Sequence, residues 1–113
     1  MYGLTVRWSL ADAPAGVDDA LRAYVHGTSL ERFTGLDGLR FKVWRTRPGE
    51  WFEGTYVFET AAARAEFAAG FAAGAAVSPG SKLIGSPPML QESFDVVAVA
   101  EGGAGFASGV GPS

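Results

Sequence analysis

Residues 38–58, GLRFKVWRTRPGEWFEGTYVF, constrain the fold more than any other stretch of the chain. Apolar and polar residues alternate on both sides of the Pro48-Gly49 pair, which predicts two antiparallel strands, Leu39 to Thr46 and Trp51 to Glu59, joined by a turn. Behind them Thr60 stands as an N-cap for a helix from Ala61 to about Ala76, with Phe67 and Phe71 as its anchors one turn apart. Ahead of them, Tyr2 to Leu10 alternates as a half-buried strand, with Leu4, Val6, Trp8 and Leu10 on one face. Met89 to Ala100 supplies a last strand. The order is β-α-β-β-α-β, an α+β domain with four strands.

The first helix, Val17 to Phe33, opens on Asp18 and Asp19, where the helix dipole favours acids. It carries two apolar stripes. Val17, Leu21, Tyr24, Val25 and Thr28 form one; His26, Leu30 and Phe33 form the other on nearly the opposite side. Gly27 lies between the halves, so either the helix bends there or one stripe meets the sheet and the other a partner. Small residues in the second helix let it lie close to a sheet or leave room between the two. Val77 to Pro88 reads as a long loop. The glycine-rich segment 102–113 lacks the apolar content to offset ordering entropy and reads as a disordered tail to a single domain over 1–101.

At 113 residues and a net charge of -3, the chain is one domain without the basic surface that nucleic acid or an anionic membrane would need. It has no cysteine, hence no disulfide framework, thiolate nucleophile or cysteine-based metal site. No basic segment leads an apolar run at the N-terminus and no apolar run approaches membrane-spanning length, so the expected location is cytoplasmic. No cofactor-binding motif occurs: Gly103 and Gly105 fall in the tail, outside any strand-to-helix turn.

Alternation sorts the strands onto two faces. One collects Leu4, Val6, Trp8, Leu39, Phe41, Val43, Phe52, Tyr56, Phe58, Phe94 and Val96, and is the face for two amphipathic helices to cover. The other holds Arg7, Arg40, Lys42, Trp44, Trp51, Glu53, Thr55, Val57, Asp95, Val97 and Val99. It is too aromatic for a plain solvent face and its charges balance, which suits burial against a second copy of the chain.

The segments FKVW, EGTYVF with its following helix, and ESFDV resemble the YdhR-like mono-oxygenase family of the dimeric α+β barrel superfamily. The resemblance covers roughly Leu39 to Val99. It implies a ferredoxin-like βαββαβ fold with a four-stranded antiparallel sheet, a homodimer, and a pocket between sheet and helices. It also implies kinship with cofactor-free mono-oxygenases that oxidise aromatic polyketides. Several of those relatives place an asparagine near the substrate, and this chain has none.

Cofactor-free oxygenation needs a dry aromatic pocket, one base and one or two neutral donors. Trp8, Phe41, Phe58 and Phe94 are the expected substrate-binding walls. Tyr56 adds a hydroxyl and Trp8 an indole N–H. The alternative is that these aromatics are simply core. His26 is the sole histidine, and on the stripe with Leu30 and Phe33 it is the expected catalytic base with Tyr56; the alternative is a surface histidine. Trp44 is expected at a dimer interface, with substrate contact as the alternative that its place in the family-like KVW implies, and no metal site is expected. The leading function is a mono-oxygenase-like enzyme acting without cofactor on a small aromatic ligand. A cofactor-free cyclase or isomerase and a non-catalytic ligand-binding dimer are the alternatives.

Overall fold

The computed structural model describes residues 1–109. Its elements run β1 Tyr2–Ser9, α1 Val17–Tyr24, a π-helical turn Val25–Ser29, α2 Leu30–Phe33, β2 Leu39–Arg47, β3 Trp51–Phe58, α3 Ala61–Gly74, a 3-10 turn Ala75–Val77, α4 Pro79–Ile84 and β4 Leu90–Asp95. The four strands form one antiparallel sheet in the order β2-β3-β1-β4, the ferredoxin-like arrangement expected from the sequence. The helices cover one face. Leu4, Val6, Trp8, Phe52, Tyr56 and Phe58 are buried beneath them with Leu21, Phe33 and Ile84.

The first helix is interrupted for a reason visible in its spacing. Val17, Leu21, Ser29 and Phe33 are its buried residues. These positions, with the half-buried Val25 between them, are separated by multiples of four residues. A four-residue repeat overshoots a 3.6-residue turn by about 40° each time, so on a straight α-helix the set would drift off the sheet. The π turn at Val25–Ser29 absorbs the overshoot and keeps Ser29 and Phe33 pointing inward. His26 falls on the outside of that turn and is exposed.

Two strands differ in facing from simple alternation. A β-bulge between Leu39 and Phe41 breaks the register of β2 against β3: Leu39 pairs with Phe58, whereas Phe41 pairs with Val57. The extra residue flips the rest of the strand. Phe41 and Val43 therefore lie on the outer face, away from the helices, and Lys42 and Trp44 on the helix face. In β4, Phe94 pairs with Gly3, again on the outer face, while Gln91 donates to the Ala68 carbonyl of α3 at 3.0 Å. A Cβ at Gly3 would stand 2.0 Å from Cε2 of Phe94, so glycine is what admits that ring. Gly3→Ala is expected to displace the Phe94 ring and cost about 1–3 kcal/mol in a denaturant melt, the range for overpacking.

The segment expected as a loop contains α4. Ser78 caps it by accepting from Ser81 N–H, Pro79 takes the first turn, and Gly85 ends it with φ of +86°. β4 stops at Asp95. Beyond it Val96 N–H donates to the Met1 carbonyl at 3.1 Å, and the chain through residue 109 contains no helix or strand. The Phe106 ring rests 6.2 Å from that of Phe41 on the outer face. Residues 110–113 of the expected tail lie outside the described residues. Among the described residues no helix is long and apolar enough to cross a membrane.

Candidate functional site

The alanines and glycines of α3 leave room above the sheet. Thr60 caps this helix, accepting from Ala63 N–H at 3.1 Å, but none of its residues is fully buried. The space beneath it is a cavity of about 700 Å³. Its floor is Trp8, Lys42, Trp44, Phe52, Gly54, Tyr56 and Phe58 of the sheet; its roof includes Phe67, Gly70 and Phe71 of α3; Phe33 closes one side. Arg32, Leu36, Asp37 and Glu66, all exposed, stand at the mouth. The volume lies within the range of small-ligand sites.

Its walls are a continuous aromatic cluster. Phe67 lies 4.7 Å from Tyr56, 5.6 Å from Phe58 and 5.9 Å from Phe33, centroid to centroid. Both indoles are fixed by hydrogen bonds. Trp8 Nε1–H donates to Ser81 Oγ at 3.0 Å, and the Ser81 hydroxyl in turn donates to the Ala75 carbonyl. Trp44 Nε1–H donates to Ser29 Oγ at 3.1 Å, which is the use of the π turn that carries Ser29 inward. The indole N–H groups of both tryptophans are therefore already committed within the protein.

Lys42 is the chemically unusual residue. Its Nζ lies 3.7 Å from the ring centroid of Phe33, 4.3 Å from that of Tyr56 and 4.5 Å from that of Trp44. It has no carboxylate partner among the described residues. Three ring faces favour an ammonium; burial, reinforced by the nearby Arg32 guanidinium, disfavours the charged form and pulls Lys42 down to about 6. Burial also pushes the Tyr56 phenol well above its ordinary value, so Tyr56 stays a neutral donor. A mostly neutral amine and a neutral hydroxyl thus share one aromatic cavity near neutral pH.

Trp8, Tyr56 and Phe58 line the cavity as the sequence suggests. Phe41 and Phe94 do not, because the β2 bulge and the β4 register turn them to the outer face. His26 does not line the cavity with Tyr56: it borders an adjoining groove along the β2 edge, with Phe41, Val43 and Phe106, which shares Phe33, Lys42 and Trp44 with the cavity. Trp44, expected at an interface, belongs to the cavity instead. Simple alternation through Arg40 puts Lys42 and Trp44 on the outer face expected to meet a second copy of the chain. Only the bulge reverses that, and no residue type in LRFKVW announces it. Phe33, Phe67 and Phe71 were legible as apolar anchors but not as walls.

Gly54 floors the site. A Cβ there would come within 3.1 Å of Lys42 Cε and 3.3 Å of the Tyr56 hydroxyl. Gly54→Ala is expected to leave the fold intact and weaken binding of a planar aromatic such as 2-naphthol about tenfold by fluorescence titration, the order of effect of about 1.4 kcal/mol. Among the described residues no group of three or more His, Cys, Asp or Glu is placed to hold a metal ion.

No family model and no curated protein matches the chain. Solved structures do. A Nitrosomonas europaea protein of unknown function shares 23% identity over 88% of this chain and 91% of its own, with a TM-score of 0.63. A Chloroflexus aurantiacus protein provisionally assigned as an antibiotic biosynthesis monooxygenase shares 19% identity over 88% of this chain and 95% of its own, with a TM-score of 0.52. At these identities the likeness is one of fold, and the fold is the ferredoxin-like α+β domain.

Proposed function

We propose that the protein is a cofactor-independent mono-oxygenase-like enzyme for small aromatic, polyketide-like substrates, with Lys42 as its base. The observation that carries this reading is a ring-caged lysine inside an aromatic cavity, without a carboxylate partner among the described residues. The fold likeness to a protein provisionally assigned as a monooxygenase agrees with it.

The chemistry follows from these side chains. An anthrone-like substrate lies against Phe67 and Phe71 with its activated CH2 group toward Lys42. Nζ takes a proton from that carbon and becomes an ammonium beside the new carbanion, with three ring faces to stabilise it. The Tyr56 hydroxyl donates to the charge that spreads onto the substrate oxygen. The carbanion adds dissolved oxygen to give a peroxide, which takes the proton back from Lys42 and loses water to leave a ketone. In sum, CH2 and O2 become C=O and H2O.

The test is oxygen uptake with a hydroxylated anthrone. One oxygen consumed per quinone formed is the expected result. Conversion without oxygen uptake would make the same base an isomerase or cyclase, and ligand binding without conversion would leave a binding protein.

The proposed assembly is a homodimer through the outer sheet face, where Val43 is 43% exposed and which also carries Phe41, Val57 and Phe94. Light scattering at micromolar concentration is expected to give twice the 11.8 kDa chain mass, and Val43→Glu to halve it. A monomeric native protein contradicts the dimer.

A further inference from the structure

We propose that Lys42 is also a covalent capture site for carbonyl compounds, condensing with aromatic aldehydes or ketones that fit the cavity. A lysine becomes a nucleophile when it is desolvated in an apolar pocket or set beside another cation. Both conditions meet here. Phe33, Tyr56 and Trp44 surround Nζ at 3.7–4.5 Å, and Arg32 stands at the mouth. The other charged or titratable groups lining the cavity are Tyr24, Asp37, Tyr56 and Glu66. Both carboxylates are exposed at the mouth, so neither holds the amine as a buried ion pair. The amine is mostly unprotonated at neutral pH for the reasons given above.

The step balances without an oxidant or reductant. The Nζ lone pair attacks the carbonyl carbon, and an amine proton moves to the oxygen to give a carbinolamine. Loss of that hydroxyl with the second amine proton releases water and leaves a C=N bond. Phe67 and Phe71 receive the aromatic substituent, and the Tyr56 hydroxyl lines the same space as the carbonyl oxygen. The proposal rests on the same Lys42 amine and cavity as the oxygenation but needs no oxygen, so anaerobic labelling distinguishes its failure from that of the oxygenation chemistry.

The chain is well suited to the test because it has two lysines, Lys42 and Lys82, and Lys82 serves as an internal control with the N-terminal amine. The full chain would be incubated anaerobically at pH 7 with benzaldehyde and cyanoborohydride, which reduces an imine to a stable secondary amine. The adduct would be located by peptide mass mapping. The expected result is labelling of Lys42 at least about tenfold faster than Lys82, levelling off above pH 6 and suppressed by 2-naphthol. Lys42 labelling no faster than Lys82, or indifferent to 2-naphthol, would overturn the proposal, whatever the outcome of oxygen-uptake assays.

Discussion

Lys42→Met is expected to lower oxygen-dependent turnover about 100- to 10,000-fold, the usual loss for a general base, while making the protein more stable. The two effects have one cause. The folded protein holds Lys42 in surroundings that resist its charge, with a value of about 6 against 10.5 in the unfolded chain. Between those two values the unfolded chain binds a proton that the native lysine lacks. Native stability therefore rises with pH across that window, and the lysine is a burden that is largest below pH 6 and gone above 10.5. The whole shift corresponds to several kcal/mol, and the ring faces and the open mouth return part of it. Methionine fills the same space without a charge, so a gain of about 1–3 kcal/mol is expected at pH 7, shrinking toward pH 10. Urea melts at the two pH values read the gain directly. A Met variant less stable than the native protein at pH 7 would mean that Lys42 is a structural cation.

Glu53→Gln is expected to have the largest cost to stability of any single change on the outer face. The Glu53 side chain is only 1% exposed. It accepts from Arg7 Nε at 2.7 Å, from Arg45 Nε at 2.8 Å and from the Thr55 hydroxyl at 2.9 Å, with Arg45 Nη2 donating to the same Oε1 oxygen. Burial alone would raise this carboxyl, but the Arg45, Arg7 and Thr55 hydrogen bonds together outweigh it and hold Glu53 below its ordinary value. The sign is therefore opposite to that of Lys42: the contribution is present above pH 4.5 and is lost as pH falls through the folded value. Removing the charge leaves two guanidiniums without their anion, although Arg7 and Arg45 are themselves 30% and 50% exposed and recover some hydration. That brings the expected loss to about 2–4 kcal/mol, at or just below the range for broken buried pairs. The loss should fade in acid. A change below about 0.5 kcal/mol at pH 7 would show that solvent already screens the cluster.

The sequence made the strand-helix order legible because each element carries its own local signal: alternation in Tyr2–Ser9, the Pro48-Gly49 turn, the Thr60 cap. It also carried half of the aromatic site, since Trp8, Tyr56 and Phe58 sit on strands that alternate without fault. The rest depended on single-residue shifts that composition does not encode. One extra residue at the β2 bulge exchanged Phe41 for Lys42 and Trp44. One wide turn at Val25–Ser29 sent His26 outward and Ser29 inward. The pairing of Phe94 with Gly3 is set by where β4 docks, and alternation within β4 alone does not fix it. By contrast, α4 was readable: Ser78-Pro79 and Gly85 are start and stop signals that the surrounding glycines and prolines obscured.

The central claim is that Lys42 is a neutral amine inside an aromatic cavity, and NMR of the lysine side chains tests it most directly. With two lysines in the chain, selective labelling gives two Cε signals to follow with pH. The expected result is a titration near 6 from Lys42, moved or broadened by 2-naphthol. A Lys42 titration near 10.5, indifferent to the aromatic ligand, would contradict the account.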